Sequence, residues 1–131
     1  MTIELYWLVL SIILTSILWI PYIINRLLEQ GILNGLWDPD GETKTEVSWA
    51  KRLMNAHVNS VENLVVFAPL VIIAHILSIN TELTEAAVTI YFFSRLLHAI
   101  LFTLRVPVLR ILAFLGGFFA QMIMLITLLT A

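Results

Sequence analysis

Arg52, Asn55, Asn59 and Glu62 recur at three- and four-residue intervals in a polar segment that runs straight into the apolar stretch Leu64 to Leu77. At about 100° per residue, Asn55, Asn59, Glu62 and Asn63 fall within about 100° of one another on a helix, with Arg52 on the same stripe and His57 elsewhere. The apolar stretch alone is too short to cross a bilayer, which takes about 20 residues, so the helix must draw its missing turns from the polar half. Asn55, Asn59 and Glu62 therefore enter or border hydrocarbon, where an unpartnered polar group costs several kcal/mol. A cation, an anion and amides on one such face form either a ligand site or a polar interface between helices. If a site, its arginine is suited to stabilising an anion, because a guanidinium is always charged and presents several donors.

Two further segments carry similar groups. Arg95 lies in the middle of an apolar helix with His98 one turn on, and Tyr91, Arg95, His98 and Phe102 share one stripe. Arg110 opens the last helix, whose Gly117 and Gln121 fall on the same side as Arg110, and Gly116-Gly117 permits close helix approach. An arginine at mid-span is a functional group or a structural contact. Glu62 is the expected partner of Arg95, since each is the only acid or base deep in its own helix. No metal site is expected: neither His75 nor His98 has a histidine or carboxylate at i+3 or i+4. Asp38, Asp40 and Glu42 alternate as calcium ligands do, but Gly41 comes fourth instead of sixth and Trp49 stands where a bidentate glutamate belongs.

The elements that must position these groups follow from composition. Of 131 residues, 60% are apolar and 12% charged, whereas soluble domains carry about 25% charged residues. The chain reads as an all-α integral membrane protein, a single four-helix domain over 1–131 with helices at about 2–24, 53–77, 86–104 and 108–130. The first helix has Glu4 as its only charge and lacks a basic leader region and a cleavage site, so it stays on the protein. Pro21 fits a kink or a membrane exit. The segment 29–49 reads as a surface loop with a turn at Asp38-Pro39-Asp40-Gly41, and Ser78 to Glu85 as a short polar connection. The net charge of −2 argues against a nucleic-acid partner, and with no cysteine any thiol chemistry must use a borrowed thiol.

At this point the residues carry a resemblance. Arg52-x-x-Asn55-Ala56-His57-x-Asn59-x-x-Glu62, then Arg95-x-x-His98, then Pro107-x-x-Arg110, resembles the MAPEG family, the membrane-associated proteins in eicosanoid and glutathione metabolism, and its short bacterial members in particular. The resemblance implies a homotrimer in a bacterial inner membrane, in contact with lipids, with glutathione as cosubstrate held between subunits near the cytoplasmic face. It implies a reaction with a lipophilic electrophile or hydroperoxide. By position, Arg52, Asn55, Asn59, Glu62, Arg95 and His98 would form the glutathione pocket and its supporting network, and Arg110 would be the catalytic residue that stabilises the thiolate. Phe102 stands where many family enzymes have tyrosine, and Asn55 where several have arginine. These departures keep open a second reading, a noncatalytic trimer of the same fold with a structural or lipid-binding role. A small transporter fits less well, for want of a discontinuous pair of apolar segments.

Arg26, Lys44, Lys51 and Arg52 flank or occupy the first connection, and Arg105 and Arg110 the third, while the second connection and both termini have no lysine or arginine. The positive-inside rule places the first and third connections in the cytoplasm and both termini on the other side. A cytoplasm-dependent reporter should therefore be active in the Lys44 loop and silent after Ala131; the opposite pattern would invert the topology.

Overall fold

Pro21 shapes the first span. It has no N–H to offer the carbonyl four residues back, and its ring crowds that carbonyl, which belongs to Ile17. In a computed structural model that describes residues 1–41 and 44–131, the helix breaks at this point. Helix α1 covers Ile3–Ile17 and α2 covers Trp19–Gln30, so Pro21 sits in the first turn of α2, where its missing donor is tolerated. The span thus continues past the expected end at residue 24. A short α3 (Ile32–Leu36) lies in the connection, which is followed by α4 (Ser48–Ile76), α5 (Glu82–Thr103) and α6 (Pro107–Thr130). Four helical segments, Ile3–Gln30, Ser48–Ile76, Glu82–Thr103 and Pro107–Thr130, are long and apolar enough to cross a membrane.

Two starts differ from expectation, the second for a local reason. Helix α4 begins at Ser48 and not near 53, taking Lys51 and Arg52 into its first turns. Helix α5 begins at Glu82 and not near 86, because Thr81 caps it: Thr81 Oγ1 accepts from Thr84 N at 3.1 Å and Thr84 Oγ1 accepts from Thr81 N at 2.8 Å. Glu82 and Glu85 then lie in the first turn, at the positive end of the helix dipole. Helices α4 and α5 each end in a left-handed residue, Ser78 (φ 55°) and Arg105 (φ 63°). In both, the next amide returns to the last turn, Ile79 N to Ala74 O and Val106 N to Leu101 O, each at 2.9 Å.

The core joins α1, α4, α5 and α6 around Leu8, Phe67, Val71, Tyr91, Ala120 and Met124, with the Phe67 and Tyr91 rings stacked at 3.6 Å. Small residues let the backbones close in. A side chain at Gly116 would bring its Cβ within 2.5 Å of Ser94 Oγ, and at Gly117 within 3.3 Å of Arg95 Cδ, so the close approach of α6 to α5 uses the space these glycines leave. Within lipid, apolar contact gives helices little reason to associate, and packing and hydrogen bonds carry the association. The first span is fastened by three polar pairs. Thr84 Oγ1 donates to Glu4 Oε1 at 2.7 Å, Thr15 Oγ1 and Ser60 Oγ share a bond of 2.9 Å, and Tyr22 Oη meets His57 Nδ1 at 2.7 Å. Glu4, Thr15 and Tyr22 are spaced by about three and then about two helical turns, which puts them on one face. On the connecting loop, Arg26 pairs with Asp38 at 2.8 Å, and Glu42, the third acid of the alternating set, lies outside the described residues.

Glu4 is only 2% exposed, so Thr84→Val would leave a buried carboxyl without its donor and also disrupt the α5 cap. The variant should lose about 1–3 kcal/mol in a detergent unfolding titration, and adding Glu4→Leu should restore part of it. Equal stability of parent and Thr84→Val would show that the contact contributes nothing.

Candidate functional site

The line along which α4 meets its neighbours runs through Ser60, Phe67 and Val71, all buried. Relative to that line, helical geometry places Asn63 at about 60°, Asn59 at about 100° and Glu62 at about 160°. The polar stripe therefore starts at the edge of the core and runs outward to the surface. Its inner members meet the stripe of α5, whose Tyr91, Arg95 and His98 are buried at 1%, 2% and 4% exposure. Arg95 Nη2 donates to Asn59 Oδ1 and lies 3.2 Å from His98 Nδ1. That donor makes Nδ1 the acceptor and places the imidazole proton on Nε2. On the other side Asn63 Nδ2 donates to the Asn59 main-chain carbonyl at 2.8 Å and to Asn59 Oδ1 at 3.4 Å, and Gln121 Nε2 of α6 donates to Asn63 Oδ1 at 3.2 Å. Five polar side chains from three helices thus form one chain: Gln121, Asn63, Asn59, Arg95 and His98.

The chain leaves donors over. Among the described residues, Arg95 Nε and Nη1 and Tyr91 Oη are buried with no hydrogen-bond partner, although the Arg95 guanidinium has the Phe114 ring at 6.0 Å, the outer reach of a cation–π contact. A buried cation with idle donors is a poor device for stability, because an unsatisfied charged group loses more by burial than its neighbours return. It is better suited to holding a polarised site at hydrocarbon depth.

The stripe continues toward the loop end through aromatic contacts. His98 lies 5.6 Å from the Phe102 ring, and the Arg110 guanidinium sits 4.3 Å above the other partner of that contact, Phe102. Arg110 is thereby restrained at the first turn of α6 without a carboxylate, leaving its charge available to an anion. Arg52 reaches the same end by another route, with Nε donating to Thr103 O at 2.9 Å. Asn55 and Glu62 are exposed on the outer edge of α4. Asn55 opens on a cleft of about 340 Å³ that is also lined by Lys44, Thr45, Lys51 and Met54.

A model of the MAPEG family matches residues 5–130 of the chain. The chain belongs to the MAPEG family. No curated protein and no solved structure matches it. Membership places this integral membrane protein among those of eicosanoid and glutathione metabolism. Of the residues singled out from the MAPEG motifs, the fold joins Asn59, Arg95 and His98 in one network, sets Arg110 on Phe102, holds Arg52 at the end of α5, and leaves Asn55 and Glu62 on the surface.

One expectation is corrected. Glu62 does not pair with Arg95: the ion pairs among the described residues are Arg26–Asp38 and Lys51–Glu46. The reason is helical phase, since Glu62 points nearly opposite to the core line while Asn59, three residues earlier, reaches α5. Sequence reasoning also passed over Lys44 and Lys51 as site residues, reading them only as markers of orientation; their proximity to Asn55 depends on the path of the connection, which no helical period encodes. Asn59 as the partner of Arg95 is testable in a double-mutant cycle. Asn59→Ala should destabilise by about 1.5–3 kcal/mol, the range for hydrogen bonds to charged groups, and much less in an Arg95→Met background. Strict additivity would reject the coupling.

Proposed function

We propose that this protein is a glutathione-dependent membrane transferase or peroxidase, assembled as a homotrimer, that binds glutathione between subunits near the cytoplasmic face and acts on lipophilic electrophiles or hydroperoxides. The observation that carries the reading is the Arg110 guanidinium, fixed 4.3 Å over Phe102 at the end of a polar chain that runs through three helices. A free thiol has a pKa of about 8.5 and is only a few per cent thiolate at neutral pH, so catalysis requires stabilisation of the anion. Arg110 can supply it without exchanging a proton.

The rest of the site supports the same assignment. Glutathione is a net anion with two carboxylates, and the cleft beside Asn55 offers the ammonium groups of Lys44 and Lys51. Asn55 and Glu62 lie on the outer edge of α4, the surface a neighbouring subunit would cover, and Arg52 stands half-buried against the end of α5. Arg95, His98 and Asn59 sit beneath that edge and orient it. In transfer, the thiol proton leaves to solvent, the sulfur lone pair forms the new carbon–sulfur bond, and the electrophile's departing pair goes with its leaving group. The noncatalytic trimer has one observation in its favour, the phenyl ring at Phe102, which has no hydroxyl to donate to a developing charge.

Arg110→Ala should lower thiolate formation by one to two orders of magnitude, about 1.4–2.8 kcal/mol, while binding through the carboxylates persists. Phe102→Tyr should raise activity by adding a donor. Ultraviolet thiolate absorbance on rapid mixing with glutathione reads both. A parent protein that gains thermal stability with glutathione, yet gives no thiolate signal and no response to Arg110→Ala, is the noncatalytic trimer.

A further inference from the structure

A second feature lies where the first span meets α4 and α5, and its lining includes no member of the polar chain. Where the first span breaks, Leu14 and Leu18 stand off from α4 and α5 and leave a groove of about 240 Å³, walled by these two, Leu53, Leu96, Ala99 and Leu104, with Thr103 at its loop end. The lining is almost wholly apolar, and the volume is below the roughly 300–1,000 Å³ of pockets that enclose a drug-sized ligand. A single hydrocarbon chain matches both properties. Two arginines adjoin residues at the loop end of the groove without lining it. Arg52 donates through Nε to the carbonyl of Thr103, and its terminal amino groups have no acceptor among the described residues. Arg105 follows the wall residue Leu104 and is exposed, at a backbone φ of 63°. That left-handed conformation favours glycine at the position after a helix end, and a side chain there costs about 1 kcal/mol or more. The other left-handed helix end in the chain carries a serine, Ser78; at this one the exposed residue is a cation, next in the chain to a wall residue of the groove.

We infer that this groove binds one anionic phospholipid per chain, with an acyl chain between α1 and α5 and the phosphate against Arg52 and Arg105. Arg52 is shared with the proposed glutathione site, so the test turns on Arg105, which belongs to no part of that site. Charge sets the selectivity. An arginine near an anionic surface contributes about 1 kcal/mol, roughly fivefold in affinity, so a diacyl lipid with a net negative headgroup should be preferred over a zwitterionic one with the same chains. The apolar walls supply affinity for both lipids without discriminating between them.

The test uses full-length protein in detergent, without glutathione, mixed with dioleoyl phosphatidylglycerol or dioleoyl phosphatidylcholine and read by native mass spectrometry. The parent should retain one phosphatidylglycerol per chain about tenfold more strongly than phosphatidylcholine, and excess glycerol 3-phosphate should not displace it. Arg105→Gly relieves the left-handed strain, so it should fold at least as well as the parent while losing about fivefold of the phosphatidylglycerol affinity. Ala99→Leu, which narrows the groove, should lower retention of both lipids alike. Equal retention of the two lipids by the parent, unchanged phosphatidylglycerol binding in a folded Arg105→Gly, or displacement by glycerol 3-phosphate alone would overturn the assignment.

Discussion

The bundle is arranged around one guanidinium at hydrocarbon depth. Arg95 is 2% exposed, so it has no water to fall back on and must find its acceptors on neighbouring helices. Asn59 and His98 are those acceptors, Asn63 and Gln121 hold Asn59 in place, and Gly117 leaves room for the aliphatic stem of the arginine. Removing any one of these would expose another, because each hydrogen bond satisfies a group that is itself satisfying the next. The register between α4, α5 and α6 is therefore set by polar groups, while the apolar residues around them would tolerate many registers.

The first span is held differently. Its contacts with α4 and α5 rest on three separate pairs, Glu4–Thr84, Thr15–Ser60 and Tyr22–His57, spaced along one face and not linked to one another. Membrane hydrogen bonds average only about 0.6 kcal/mol each, and the three pairs of the first span, being unlinked, do not reinforce one another as the members of the polar chain do. The first span is also where the chain breaks at Leu18 and opens an apolar groove. The linked polar chain and the apolar recess beside the first span thus share no residue within the same bundle.

Much of this was legible in the residue order. Apolar runs located four spans, and the 3.6-residue period correctly grouped Tyr91, Arg95, His98 and Phe102 on one stripe and Arg110, Gly117 and Gln121 on another, because both stripes are narrow and face inward. The stripe on α4 misled as to Glu62 because it is wide: periodicity tells which residues neighbour one another but not where a stripe stops facing protein. The start at Glu82 was hidden by polarity, since a charged first turn looks like loop unless the cap is recognised, and the Thr81 cap relies on Thr84 where a glutamate would have announced it; the start at Ser48 has no side-chain cap to signal it. The polar face of Glu4, Thr15 and Tyr22 was available to the same angular count, but its members are few, mild and separated by long apolar intervals.

The arrangement of Arg110 bears on what the phenyl ring at Phe102 does. A hydroxyl on that ring would give a site two donors for a developing anion, and its absence looks at first like a loss of function. Yet the guanidinium 4.3 Å above the ring requires an electron-rich face more than a hydroxyl, and benzene-type rings provide one. Phenylalanine and tyrosine are therefore close to equivalent for fixing the arginine, and they differ in whether the ring also touches the anion. With phenylalanine the ring acts as a platform for the guanidinium, and in the proposed site nearly all the electrostatic stabilisation would fall on that one group. Such a site depends on keeping water away from that contact: the attraction of a cation for a ring is about 0.5–1 kcal/mol when exposed and about 2 when desolvated. Covering the outer edge of α4 with a second subunit would exclude that water if the same contact covers Arg110, which ties the strength of the cation–π contact to assembly and not to the sequence of one chain alone.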